Sequence, residues 1–193
     1  ILEQDRQVKK AEPIYFVTRP RGGGYDYPQY CLHGRDWRRL KHMLRHNNVY
    51  LGVHGSYYGS IPAIEYSKMY RAHYLRCSIE QLQRLADAGY TDDFTMGFAD
   101  QAGFRLQTCR AVRWINPKTM QLTNLTLHPL MVMDTTLSKY MHLTEDEAYF
   151  LCERLIAKVK LHHGDLCLLW HNNNFAGESY HRALYPKILA LIK

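Results

Sequence analysis

Two histidines stand where an α/β protein places chemistry. His54 ends a strand-length apolar run, Val49-Tyr-Leu-Gly-Val-His54, and opens a loop of small and aromatic residues, Gly55-Ser-Tyr-Tyr-Gly-Ser60. His171 closes a second apolar run, Asp165-Leu-Cys-Leu-Leu-Trp-His171, and is followed by Asn172. Open α/β sheets gather ligands and catalytic groups just past the carboxyl ends of their strands, and parallel strands end on the same side. The two histidines are therefore predicted to share one pocket, with Arg71 and Tyr74 on its wall. The alternative for each is a histidine that only hydrogen-bonds in a turn. Asp100 and Arg105 lie in irregular, glycine-containing sequence, and Asp134 follows the apolar run Leu122 to Met133. Each serves equally as a substrate contact or as a loop cap, and Arg105 has Asp93 and Asp100 as candidate partners.

The elements that would position these residues can be read in order. Glu12-Pro-Ile-Tyr-Phe-Val-Thr18 is β-branched and aromatic and predicts a strand, broken by Arg19-Pro-Arg-Gly-Gly-Gly24. Those glycines are not followed by GK[ST] or an immediate helix, so they read as a loop and not as a phosphate cradle. An aromatic loop, Tyr25 to Tyr30, leads to a basic helix over Asp36 to Asn47 with Trp37, Leu40 and Leu44 inward. Ile64 to Tyr74 is predicted to end in a strand. Ser78 and Gln81 then make a capping box for a helix burying Ile79, Leu82, Leu85 and Ala86, closed by Gly89. Leu122 to Met133 reads as one strand running into the core. Thr144 and Glu147 cap a helix with the stripe Ala148, Leu151, Leu155 and Val159, a strand follows over 165–170, and a last helix is predicted to start near Pro186 and to pack Ile188, Leu189 and Ile192. Strands alternating with helices of this length predict a parallel sheet or an incomplete β/α barrel.

Composition narrows the classes. The chain has 193 residues, 46% of them apolar and 22% charged, which suits one globular domain and excludes a disordered polymer. No window approaches the roughly 18 uninterrupted apolar residues of a membrane span, and no signal-peptide core opens the chain, so a soluble, cytoplasmic protein is predicted. The first residue is Ile1 and not Met, and an upstream segment is one explanation. Five cysteines without a CxxC pair fit a reducing compartment better than a disulfide framework. The net charge of +7 invites an anionic partner, but much of it sits on the basic helix, where a solvated face explains it and no nucleic-acid motif accompanies it. Nucleic acid is not the expected partner, and oligomeric state is not legible.

Taken in order, several segments resemble one family. They are His54-Gly-Ser56 after a Val/Gly strand, Arg71-Ala-His-Tyr-Leu75, Tyr90-Thr-Asp-Asp-Phe-Thr-Met-Gly-Phe-Ala-Asp100 with Gly103-Phe-Arg105, Pro129-Leu-Met-Val-Met-Asp-Thr-Thr-Leu137, and Leu169-Trp-His-Asn172. Together they resemble the polysaccharide deacetylase-like proteins, the NodB-homology metal-dependent carbohydrate deacetylases, in a branch associated with Bacteroidetes-type bacteria. The resemblance covers nearly the whole chain. It implies a distorted or incomplete (β/α) barrel of about seven strands, with residues 1–193 as a single domain, and hydrolysis of N- or O-acetyl groups on an amino sugar or glycan. It implies that His54 is the first metal-binding histidine of an HxxxH motif. It likewise makes Arg71 and Tyr74 the Arg and Tyr of an RxPY motif, with His73 in the place of the proline. The Arg would orient the catalytic base and the Tyr would line the groove. Asp93 matches the acidic groove motif, and His171 the LxH histidine that protonates the leaving amine. A divalent metal, zinc first among the candidates, would polarise the acetyl carbonyl and acidify its bound water. Tyr58, His73, Tyr74, Asp93, Asp100, Arg105, Trp170 and Asn172 make up the expected substrate-contacting set, although the strand position of Trp170 favours core over a sugar-stacking platform.

Two departures matter. Tyr58 stands where the second metal histidine belongs, and no strand with the paired aspartates of the family precedes Pro13. Either that strand lies upstream of Ile1 or the domain is catalytically incomplete, and the stretch from Gly59 to Lys68 is shorter than the resemblance implies. Three functions stand: a metal-dependent glycan deacetylase, a non-catalytic glycan-binding relative of the same fold, and, more distantly, a basic nucleic-acid-binding module.

Overall fold

A computed structural model describes residues 12–18, 24–26, 32–63, 65–176 and 179–192. The residues predicted as the glycine loop up to Gly23 and as the aromatic loop from Tyr27 lie outside the described residues, as does Cys31. The fold is mixed α/β and, among the described residues, forms two compact units, each built from two stretches of chain. The first takes Glu12–Thr95 and Val112–Leu127; the second takes residues 96–111 and 128–192.

The first unit is organised by a six-stranded sheet. In chain order its elements are β1 (Ile14–Thr18), α1 (Gly34–His46), β2 (Tyr50–His54), β3 (Met69–Arg71), α2 (Ile79–Asp87), β4 (Asp92–Asp93), β5 (Val112–Ile115) and β6 (Leu122–Leu127). The strand order is β1-β2-β3-β4-β6-β5, parallel throughout except that β5 runs antiparallel to β6. The predicted parallel sheet is thus present, as an open sheet. A closed barrel is not seen among the described residues. In α1, Trp37 and Leu44 are buried while Arg38, Arg39 and Arg45 face water, as the amphipathic pattern dictates.

Helix α2 departs from its sequence pattern at its start. Ser78 accepts from the Gln81 amide N–H, but the Gln81 side chain donates to the Tyr70 hydroxyl at 3.3 Å, so only half of the predicted capping box forms. Ile79, expected inside, is exposed, because the inward face begins at Leu82. The helix ends as predicted at Gly89, whose φ is +84°. The amides of Gly89 and Tyr90 return to the carbonyls of Ala86 and Leu85, a Schellman closure that needs a left-handed residue at that point.

Two expectations over 112–133 are corrected. The β5–β6 hairpin was not anticipated; its turn is held by the Asn116 side chain, which accepts from the amides of Lys118 and Thr119. The single strand predicted over Leu122–Met133 is two strands, β6 in the first unit and β7 (Val132–Met133) in the second. Pro129 between them has no N–H to give to a ladder, so one continuous strand cannot run through it.

The second unit pairs β7 in parallel with β8 (Leu168–Leu169) and packs helices α3 (Glu145–Leu161) and α4 (His181–Ile192). Thr144 and Glu147 form the full reciprocal box at the head of α3. Ala148, Cys152, Leu155, Ile156 and Val159 are its buried stripe and meet Leu184 and Ile188 of α4. Helix α4 begins five residues before the predicted start. Pro186 lies inside it, so the helix gives up one hydrogen bond there and is sustained by the burial of His181, Leu184, Ile188 and Leu189. Among the described residues no helix is long and apolar enough to cross a membrane.

One close approach in the first unit is testable. A Cβ at Gly55 would strike the hydroxyl and ring of Tyr70, which is fully buried and stacked edge-on to Tyr90. Gly55→Ala is expected to destabilise the protein by about 1–3 kcal/mol through overpacking, read as a lower urea midpoint with an unchanged slope.

Candidate functional site

In the first unit, the register carries the candidates. Thr18 pairs with His54, and His54 with Arg71, so the three stand in one row at the carboxyl ends of β1, β2 and β3. Two residues back on the same face, Phe16 pairs with Gly52. A Cβ at Gly52 would meet the Phe16 ring, so the missing side chain lets that ring lie against β2. The Arg71 guanidinium then sits 4.2 Å from the Phe16 centroid. Its Nε donates to the Phe94 carbonyl at 3.2 Å, and the residue is only 7% exposed. Arg71 is therefore placed as a buried tie between strands, next to His54 in the sheet.

His54 is half-buried. Its Nδ1 lies 3.1 Å from the Gly55 carbonyl, which can only accept, so Nδ1 carries a hydrogen there. The His73 ring is edge-on to it at 4.9 Å, and His73 stacks on Tyr74 at 4.6 Å. Tyr74 has φ +55° and Leu75 has φ +53°, two successive left-handed non-glycine residues, each costing on the order of 1–2 kcal/mol. That strain turns the Tyr74 ring outward, where it is half exposed and meets Tyr57 edge-on at 5.7 Å. Tyr58 is exposed and also edge-on to Tyr57. Asp93 is fully buried: its two oxygens accept from the hydroxyl and amide of Thr95, whose hydroxyl in turn accepts from Ala72 N–H. This carboxylate ties β4 to the end of β3 and offers no surface to a glycan.

In the second unit the candidates converge on a group the sequence left undecided. Register sets Met133 beside Leu169, so Asp134 leaves β7 close to where His171 follows β8. Asp134 has no exposed surface. Its Oδ1 lies 2.6 Å from His171 Nδ1 and also accepts from Thr135 N–H, while Oδ2 accepts from His171 N–H and from the Asn174 amide, each at 2.7 Å. Burial pushes the Asp134 carboxyl up, but the His171 hydrogen bond and charge, with the Asn174 bond, outweigh it and hold the group below the usual carboxylate range. An ionised Asp134 fixes His171 with Nδ1–H inward and Nε2 on the side away from the carboxylate. The His171 side chain is 42% exposed.

The remaining calls fall as follows. Arg105 donates to the Gly97 carbonyl at 3.0 Å and closes its own loop. Asp100 and Asn172 are exposed. Trp170 packs against Tyr185 and His181, the core placement of its two readings. Asn174, which sequence reasoning missed, sits in the three-asparagine run after His171, and the run itself was the only signal.

A metal needs three or four protein donors. His54 has His73 beside it, and among the described residues no three His, Cys, Asp or Glu side chains gather at one point. Tyr58 is an exposed phenol. The described donor set does not fit a divalent ion. No family model, curated protein or solved structure matches the chain.

Proposed function

We propose that the chain is a glycan-directed hydrolase that removes acetyl groups, of the polysaccharide deacetylase kind, with His171 as its proton donor. The observation that carries this reading is the Asp134–His171 pair. A buried carboxylate ringed by donors from Thr135, His171 and Asn174 holds one imidazole nitrogen and leaves the other for a reacting group. In amide hydrolysis water adds to the acetyl carbonyl, the C–N bond breaks, and the departing nitrogen takes a proton. Protonated His171 supplies that proton from Nε2–H, while Asp134 keeps the charged ring in place. The mostly parallel sheet of the first unit supports the α/β class that the resemblance implies, and the exposed rings of Tyr58 and Tyr74 suit sugar faces.

A second reading, a glycan-binding relative without hydrolysis, is favoured by one observation, the incomplete donor set around His54. Acetate release from acetylated chitooligosaccharides and acetylated xylan decides between them. Enzymatic release by the full-length protein supports the hydrolase. Binding of these glycans with no release above the uncatalysed rate supports the second reading and overturns the first.

A further inference from the structure

The loop after His54 and the approach to α2 border an open cleft of about 600 Å³ within the first unit, lined by Ser56, Tyr57, Tyr58, Arg76, Ser78 and Gln81. We propose that this cleft binds a sugar bearing an oxyanion, a uronate carboxylate or a sulfate ester, within a glycan chain. The inference takes its class of ligand from the glycan reading above and uses no hydrolytic step.

Charge comes first. Of the described residues that line the cleft, Arg76 alone is charged, and no carboxylate joins it. Its guanidinium lies 4.6 Å from the Tyr57 ring centroid and has no ion-pair partner among the described residues. Tyr57 is itself held between rings, with Tyr25 at 4.5 Å and Tyr74 edge-on at 5.7 Å. A guanidinium laid on a fixed ring is already oriented, and the N–H edge of its planar fork matches a carboxylate or sulfate. Shape comes second. Tyr58 is 67% exposed, which leaves ring surface for the apolar face of a sugar. The remaining walls are neutral and polar, and the volume falls within the ~300–1,000 Å³ of small-ligand sites. A neutral sugar would use the ring and leave the cation unanswered; an acidic one uses both.

The test is calorimetric titration of the full chain with three tetrasaccharides: tetragalacturonate, its carboxyl-reduced neutral counterpart, and that neutral tetramer carrying sulfate esters. At low salt at least one acidic tetramer is expected to bind about tenfold or more tighter than the neutral one, with the advantage shrinking as salt rises. Whichever acidic tetramer binds tighter identifies the oxyanion. Arg76→Ala is expected to abolish the advantage without changing affinity for the neutral tetramer, and Arg76→Lys to keep part of it. Arg76 is exposed, so both variants should melt as the parent does. Equal affinity for all three tetramers, an acidic preference that survives Arg76→Ala, or no binding of any tetramer overturns the proposal. Acetate release without acidic preference would leave the hydrolase reading standing, and acidic preference without acetate release would leave this one standing.

Discussion

His171→Ala is expected to slow acetate release by the full-length protein by about 10²–10⁴-fold, the range for losing a positioned general acid. The loss should fall on kcat and leave KM nearly unchanged, because a proton donor acts on the departing nitrogen only as the bond breaks. The fold should survive. The His171 ring is partly exposed, and its backbone N–H, which the substitution keeps, still donates to Asp134. His171→Gln separates the roles further, since an amide can still hydrogen-bond to Asp134 yet cannot carry the proton, so it should be as slow as the alanine variant. If either variant kept release within a few-fold of the parent, with melting unchanged, His171 would not be the acid.

Asp134→Ala is expected to cost roughly 2–4 kcal/mol, because the amides of His171, Thr135 and Asn174 lose their acceptor in a place without exposed surface. The acid side of the stability profile tests the same group. In the folded protein its carboxyl is held below the ordinary range, so the unfolded chain binds its proton first as pH falls. The stability contributed by the ionised group is therefore present in full above the unfolded value of about 3.9 and disappears as pH falls through the folded value. Thermal midpoints measured from pH 7 to pH 2 should drop less steeply below pH ~4 in Asp134→Asn than in the parent. Parallel curves would mean that the fold does not hold the Asp134 carboxyl below its ordinary range.

How much of this was legible depended on whether a residue's partner lay close in sequence or across the sheet. The Thr144–Glu147 box, the Gly89 closure and the α1 stripe are local and could be read directly. Parallel strand pairing was legible in kind, and with it the adjacency of His54 and Arg71. The hairpin was missed because β5 is mostly exposed and lacks the clean alternation of a half-buried strand, leaving only its Asn-Pro turn as a signal. Ile79 and Pro186 misled because intrinsic pattern yielded to packing: α2 begins its inward face one turn later, and α4 is held by buried residues on both sides of its proline. Asp134 was seen but not paired. That β7 stands beside β8 is a contact between segments more than thirty positions apart, and nothing local announces it.

The alternation of the chain between the two units carries a consequence for assembly during synthesis. As the chain emerges from its N-terminus, β1 to β4 can pair early, but the next stretch, 96–111, belongs to the other unit, whose remaining residues follow only from 128 onward. Until β6 arrives, the outer edge of β4 stays open, and an open edge is a template for wrong pairing. The β5–β6 hairpin answers this, since its pairing is local, forms fast and delivers β6 to that edge as a preformed block. Neither unit can be completed before the other has begun, so a nascent chain stalled between Met96 and Leu127 leaves both unfinished and exposes them together to aggregation.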